Sequence, residues 1–254
     1  MESNEVHTKN KNRTFDECLV KASNMSIKVE NIRKDYGKQI ALNGVTFSAE
    51  KGEVIALLGP NGAGKSTLMK ILTGYLQSTA GEAIVNEYNV ATQKLQAQKG
   101  TGYLPEQNPL YKEMFVKEYL QFHAGIAGLT KVDVLETIER VGLTPESHKR
   151  IKQLSKGYQQ RVGLAAAIIH NPEVLILDEP TTGLDPNQLT EIRKLIVDLG
   201  KEKTVLLSSH IMQEVEAMCD RILILNKGNL VLNTKLKDLK EPLETVFRKL
   251  TTVS

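Results

Sequence analysis

Short apolar runs alternate with helical patterns along most of this chain. Runs rich in Val, Ile and Leu predict strands at 26–32, 44–48, 53–58, 82–85, 173–178, 204–209 and 221–226. Apolar residues at helical spacing predict helices over 115–141, with a break near 125–130, and over 157–170, 187–199 and 211–218. Strands that alternate with helices predict an α/β fold, with a mostly parallel sheet covered by helices on both faces. The helical pattern between the strands predicted up to 82–85 and those predicted from 173 onward indicates an insertion. The polar segment 1–24 predicts a disordered extension.

The first candidate site follows the strand predicted at 53–58. Residues 59–66 read GPNGAGKS and match the phosphate-loop pattern GxxxxGK[ST]. Such a pattern arises by chance in roughly one chain in a hundred of this length. Here a strand precedes it and a helical pattern follows it, which is the context that a phosphate site needs. Small residues let backbone N–H groups curl around an anion at the start of a helix.

Two side chains of this loop have specific expected roles. Lys65 would reach the β- and γ-phosphates, and the Ser66 hydroxyl would ligate Mg²⁺. The expected ligands are therefore ATP and Mg²⁺. The predicted nucleotide contacts are Gly59, Pro60, Asn61, Gly62, Ala63, Gly64, Lys65, Ser66 and Thr67.

Further candidate residues follow two strands in the second half. Residues 174–179 read VLILDE, so Asp178 and Glu179 come directly after an apolar run, and His210 follows the strand at 204–209. Ligands bind at the C-terminal ends of parallel strands, so we expect these groups to meet the phosphate loop. Asp178 is then a candidate Mg²⁺ ligand, Glu179 the base for an attacking water, and His210 a group that holds the base and the γ-phosphate. The alternatives are a solvated pair of acids and a structural histidine.

Composition narrows the classes of function. The net charge of +3 is too small to indicate nucleic acid by itself, so no nucleic-acid partner is expected. Cys18 and Cys219 lack metal or redox spacing, which suits a reducing compartment. No apolar run reaches the 18 or so residues of a membrane span, and the polar N-terminus lacks an apolar signal core. We therefore expect a cytoplasmic location.

Several motifs together resemble those of ATP-binding cassette (ABC) ATPases. Residues 154–161 read LSKGYQQR and resemble the signature sequence of that family. Residues 181–185, TTGLD, resemble its D-loop, and residues 208–210, SSH, resemble its switch histidine. Tyr36 stands where these proteins stack an aromatic ring on adenine. The resemblance runs from about residue 27 to residue 228, with the motifs in the family's order.

This resemblance implies a P-loop NTPase (RecA-like) fold. Its mostly parallel core sheet would carry an N-terminal antiparallel β subdomain and an inserted helical subdomain at about 107–160. The ATPase domain would span 25–233, and 234–254 would form a short C-terminal helical tail. Residues 242–250 resemble the family's final helix.

The resemblance also implies a mechanism and partners. Two such subunits sandwich two ATP molecules head to tail. Ser155 and the backbone of Gly157 would contact the γ-phosphate held by the other subunit, and Asp185 would lie among the nucleotide contacts. The expected partners are a second copy or a homologous ATPase, and a separately encoded transmembrane permease at the inner face of the cell membrane. Residues 163–172 and 183–188 resemble ATPase subunits of ABC-2-type exporters, most of all those associated with bacterial gliding motility.

This chain departs from the family's pattern at two places. Lys156 and Tyr158 replace the Gly and Gln of the usual signature, which leaves Ser155 and Gly157 intact. Glu106 aligns with a Gln that touches Mg²⁺ or water in the family. Either Glu106 performs this role as a metal ligand, or the neighbouring Gln107 shifts into place.

Two other functions compete with a transport ATPase. A soluble ABC ATPase could act on ribosomes or DNA, but the chain has one phosphate loop, no sustained heptads and a near-neutral charge. A nucleotide sensor without turnover would not need Lys65, Asp178, Glu179 and His210 together. The sequence therefore predicts an ATP-hydrolysing subunit of an export or gliding-motility complex.

Overall fold

The computed structural model describes residues 24–130 and 134–252. The extension predicted at 1–24 lies outside this part of the chain, apart from Asn24. The carbonyl oxygen of Asn24 accepts a hydrogen bond from the Lys51 amide at 3.0 Å.

A six-stranded sheet forms the centre of the fold, in the order β10-β9-β3-β8-β7-β6. The five strands from β9 to β6 are parallel, and β10 is antiparallel to β9. Every residue of β3, β7 and β8 is buried, as expected of strands covered on both faces. The strands are β3 Val54–Leu58, β6 Thr101–Leu104, β7 Val174–Leu177, β8 Thr204–Ser208, β9 Arg221–Asn226 and β10 Asn229–Lys235.

A four-stranded antiparallel sheet, in the order β2-β1-β4-β5, forms the N-terminal β subdomain. Its strands are β1 Met25–Tyr36, β2 Gln39–Glu50, β4 Ala80–Val85 and β5 Tyr88–Asn89. The first two strands are longer than the predicted 26–32 and 44–48. Their extra residues are mostly half-buried or exposed and are held by cross-strand pairing, from Arg33↔Asn43 to Tyr36↔Gln39. The spacing of apolar residues gives no signal for strand residues that are held only by cross-strand pairing, so the predicted strands were too short.

Eight helices surround the two sheets in the described part of the chain. They are α1 Lys65–Leu72, α2 Lys94–Lys99, α3 Val116–Ile126, α4 Val134–Arg140, α5 Lys156–Ile168, α6 Pro186–Gly200, α7 Met212–Met218 and α8 Leu243–Thr251. Short 3₁₀ turns lie at Thr144–Glu146, Ile151–Gln153 and Leu236–Asp238. The gap between α3 and α4 matches the break predicted near 125–130. Helix α8 matches the predicted final helix, and the predicted tail, 234–254, begins inside β10.

The central sheet separates two hydrophobic clusters. Ala56 and Leu58 of β3 face a cluster built with α3 to α8, whereas Ile55 and Leu57 face α1, α2 and the antiparallel sheet. This alternation is the period of two that a strand imposes. Helices do cover both faces, as predicted, but the antiparallel sheet supplies much of the second cover.

Residues 101–104 form β6, a strand that the apolar pattern did not predict. The strand is short and contains Gly102, so its sequence carries no strong strand pattern. It forms because it pairs with β7 along Thr101↔Val174 to Leu104↔Leu177. A side chain at Gly102 would collide with the Ala167 carbonyl of α5, so the glycine allows this close packing. Strand β10 and helix α2 were also not predicted.

Truncating Leu57 to alanine is expected to destabilise the fold by about 2–5 kcal/mol. Leu57 is fully buried in β3 at the centre of the sheet. Leu95→Ala, at a side chain that is 73% exposed in α2, is the control and should cost less than about 0.5 kcal/mol. Urea unfolding measures both changes, and equal losses for the two variants would contradict this account of the core.

Candidate active site

The loop between β3 and α1 has the shape of an anion cradle, and its glycines make that shape possible. Gly64 has φ of 108°, a left-handed value that favours glycine. A methyl group at Gly64 would lie 2.6 Å from the Ala41 carbonyl oxygen of β2. The Ala63 amide donates to the Pro60 carbonyl at 3.1 Å, and the Gly228 amide donates to the Ala63 carbonyl at 3.1 Å. The loop is therefore fixed from inside and from the turn between β9 and β10.

Lys65, the first residue of α1, lies close to all three predicted acids. Its half-buried ammonium donates to the Gly59 carbonyl at 2.6 Å and to the Pro60 carbonyl at 3.2 Å. Burial lowers the pKa of Lys65, and the carboxylates of Glu179, Asp178 and Glu106 oppose that shift. The phosphate loop and the acids that follow β7 and β6 thus share one electrostatic environment.

Asp178 and Ser66 offer the types of ligand that Mg²⁺ held together with phosphate would need. Asp178 is 3% exposed, and its Oδ1 accepts a hydrogen bond from the Ser208 hydroxyl at 2.7 Å. Ser66 lies in the first turn of α1. In residues 24–130 and 134–252, no three His, Cys, Asp or Glu side chains form a metal site by themselves. Mg²⁺ usually takes one or two protein ligands, with phosphates and waters completing the shell, so one carboxylate and one hydroxyl suffice.

Glu179 is held in an unusual conformation beside His210. Its φ of 53° is left-handed, which is rare for a residue with a side chain and is common at functional sites. Its amide donates to the Ser208 hydroxyl at 2.8 Å, and its Oε2 lies 2.8 Å from Nδ1 of His210. The Gln160 amide group of α5 donates to the Glu179 carbonyl at 3.3 Å. Glu179 therefore points its carboxylate at His210 from a strained backbone.

The signature residues lie at the start of α5. Ser155 caps this helix, and its hydroxyl accepts from the Tyr158 amide at 3.4 Å. Gly157 is buried against Gln188 of α6, whose side chain would have to move to admit a side chain at this position. Within the described residues, no hydrogen bond or ion pair joins Ser155 or Gly157 to the phosphate loop.

Two other predicted nucleotide contacts have structural partners. The Asp185 carboxylate caps α6 by accepting from the Gln188 amide at 2.9 Å, so part of its hydrogen-bonding capacity is used. Tyr36, at the end of β1, is half exposed, and the Lys34 ammonium lies 5.2 Å from its ring centre. Glu106 is exposed just after β6, as is Gln107. The roles of these residues toward nucleotide remain predictions.

Sequence reasoning missed Ser208 and Gln160 as parts of the site. The Ser208 hydroxyl contacts both acids, because it accepts from the Glu179 amide and donates to Asp178. Its signal was available, since Ser208 is a polar residue at the end of an apolar strand, as Asp178 is. Gln160 carries no such signal, because it contacts the Glu179 carbonyl through the packing of α5 on the sheet.

Comparison with known proteins decides the family. A family model described as ABC transporter matches residues 42–182. The chain belongs to the ABC transporter family. It is an ATP-binding cassette, an ATPase that acts on ATP with Mg²⁺. In the described part of this cassette, no helix is both long and apolar enough to cross a membrane.

Individual relatives support this assignment. The cassette is 39% identical to the lantibiotic transport ATP-binding protein SrtF of Streptococcus pyogenes, over 87% of this chain and 95% of that protein. A solved ATP-binding subunit of an ABC transporter superposes with a TM-score of 0.82 at 29% identity, over 89% of this chain and 99% of that one. A dimeric cassette, MJ0796, in a post-hydrolysis state with ADP and Pi gives a TM-score of 0.77 at 25% identity, over 84% of this chain and all of that one.

Replacing Lys65 with alanine is expected to weaken ATP binding by at least about 10-fold. The change removes a charged donor to phosphate, and such hydrogen bonds contribute about 1.5–3 kcal/mol. Lys70→Ala removes the same charge from an exposed position of α1 and is the control. Titration with ATP in a calorimeter measures both affinities. Wild-type affinity in the Lys65 variant would refute the assignment.

Replacing Glu179 with glutamine is expected to lower turnover by about 10²–10⁴, the usual contribution of a general base. ATP binding should persist, and the closed dimer should accumulate because its ATP is not consumed. Steady-state phosphate release and light scattering with ATP measure the two effects. Glu216→Gln, an exposed acid in α7, should leave both at wild-type values. Unchanged hydrolysis in the Glu179 variant would remove Glu179 from the role of base.

Proposed function

We propose that this cassette energises a membrane export complex, at whose cytoplasmic face it binds a separately encoded transmembrane permease. The observation that carries the proposal is the contact of Glu179 and His210 at 2.8 Å, beside the phosphate loop. A sensor that only bound nucleotide would not need a base held in this way. The named activity of SrtF, lantibiotic transport, supports the exporter class. The resemblance to gliding-motility subunits remains a prediction, because none of these comparisons addresses it.

The phosphate loop of each subunit would bind one ATP. Backbone N–H groups of the phosphate loop at the N-terminus of α1 would donate to the β- and γ-phosphates, and Lys65 would add a compact positive charge. Ser66 and Asp178 would hold Mg²⁺, with Glu106 or Gln107 as a further ligand. The metal, when bound, neutralises charge that develops on the phosphate oxygens. Tyr36 would stack on the adenine from the β1–β2 hairpin.

Hydrolysis would depend on Glu179 and His210. Glu179 accepts a proton from the water whose oxygen attacks the γ-phosphorus, while the bond to the β-phosphate oxygen breaks and ADP leaves. With Glu179 ionised as the base, His210 would donate from Nδ1 to Oε2 of Glu179 and so fix the direction of its carboxylate. The Ser208 hydroxyl of β8 contacts Asp178 and the Glu179 amide, and so holds both acids, which follow β7, against the neighbouring strand. These residues supply orientation and a proton acceptor, which is what this class of reaction requires.

Work would come from dimerisation of two cassettes, either two copies of this chain or this chain with a homologue. Ser155 and Gly157 lie at a helix start that can bind an anion, and no hydrogen bond in the described part of the chain joins them to their own phosphate loop. They would contact the γ-phosphate bound to the other subunit, so each ATP joins the two subunits. Hydrolysis removes that shared group, and the dimer opens. The dimeric structure of MJ0796 is consistent with this arrangement.

Affinity purification of the Glu179→Gln variant with ATP, from detergent-solubilised cells that naturally contain this chain, tests the proposal. A polytopic membrane protein at a fixed ratio to the cassette is the expected result. Lys65→Ala is the matched control, since it carries the same tag but should not form the ATP-bound dimer. Recovery of ribosomes or DNA, or of no partner, would contradict the export function and favour a soluble ABC ATPase.

A further inference from the structure

Behind the contact between Glu179 and His210 lies a second acid, Glu214, which no role described so far uses. It lies in α7, four residues after His210, and is 1% exposed. Burying a carboxyl group is costly unless its oxygens are partnered. Glu214 has a partner at each oxygen, and the two partners belong to different parts of the fold.

The first partner is Thr181, whose hydroxyl donates to Oε2 of Glu214 at 2.5 Å. Thr181 is 5% exposed and follows Glu179 by two residues. Its carbonyl accepts from the Leu184 amide at 3.3 Å, which begins the turn that leads to α6. The hydrogen bond therefore joins the segment that carries Glu179 to the helix that follows His210.

The second partner is Arg193 of α6, whose Nη2 lies 3.8 Å from Oε1 of Glu214. Arg193 Nε is buried and has no hydrogen-bond partner among the described residues. The carboxyl group of Glu214 thus lies between a hydroxyl of the loop after β7 and a guanidinium of α6. It ties together α7, α6 and the loop after β7.

The position of His210 depends on such ties. Its side chain is 68% exposed, so packing does little to hold the ring, and Glu179 is its hydrogen-bond partner. At the end of β8, two residues before His210, Ser208 contacts both Asp178 and the Glu179 amide, and so connects the strand before His210 to the segment that carries Glu179. The hydrogen bond between Thr181 and Glu214 likewise connects the helix after His210, α7, to the segment that carries Glu179.

We propose that Glu214 is a positioning residue for hydrolysis: through Thr181 it sets the separation between Glu179 and His210. An apolar pair could pack α7 against the loop equally well, but a short hydrogen bond fixes direction and distance. Small displacements of catalytic groups have large effects on rate, up to about 10²-fold for about 1 Å. The inference rests on the proposed roles of Glu179 and His210.

The test is a comparison of Thr181→Val in two backgrounds, the wild-type chain and His210→Ala. In the wild-type background Thr181→Val should lower kcat about 10-fold, with the dissociation constant for ATP changed less than about 2-fold. Thr181→Ser keeps the hydroxyl and should restore kcat to near the wild-type value. In the His210→Ala background Thr181→Val should lower kcat less than about 2-fold further, because the distance it controls no longer matters.

Two controls separate positioning from a general loss of structure. Thr137→Val makes the same change at another buried threonine, in α4, and should leave kcat unchanged. Glu214→Leu removes the acceptor and should reproduce the effect of Thr181→Val in both backgrounds, which keeps the test decisive if one variant does not fold. An equal fall of kcat in both backgrounds, or no fall in either, would overturn the inference. Wild-type turnover in His210→Ala alone would instead refute the role proposed for His210.

Discussion

Parallel pairing of β3, β8 and β7 is the constraint on which the rest of the structure depends. The three strands run in register, with Leu57 opposite Ser208 and Leu207 opposite Leu177. Their C-terminal ends therefore lie at one edge of the sheet, and each end carries a different chemical group. The phosphate loop follows β3, the two acids follow β7, and His210 follows β8. A ligand bound at this edge would lie near backbone donors, carboxylates and an imidazole.

Much of the site could be predicted from the chain alone, because its residues follow apolar runs that are easily recognised. The phosphate loop, Asp178, Glu179 and His210 all belong to this group, and the structure brings the first three into one electrostatic environment. The observation that shows this is the pKa of Lys65, on which the carboxylates of Glu179 and Asp178 both act. The prediction that these groups lie near one another succeeded because parallel strands have a fixed polarity, which converts position in the sequence into position in space. Their roles toward ATP and Mg²⁺ stay predictions.

Other parts could not be predicted, because they exist only through contacts between distant segments. Strand β6 forms by pairing with β7, and the long arms of β1 and β2 form by pairing with each other. Ser208 and Glu214 matter because of the partners that the fold gives them. Asp185 shows the converse case, since a residue expected at nucleotide also has a local partner in the cap of α6. In each case the structure or the role of a residue depends on contacts that the local spacing of apolar residues does not predict.

The order of strands in the central sheet has a consequence for synthesis of the chain. Strand β8 lies between β3 and β7 in space, yet it is the last of the three to be made. A nascent chain that ends just after Glu179 holds the phosphate loop and the two acids. It lacks β8, which lies between β3 and β7, and therefore also lacks the hydroxyl of Ser208. ATP therefore has no complete site to stabilise until β8 and its Ser208 have been made. The chain must therefore be made beyond His210 before its own substrate can assist its folding.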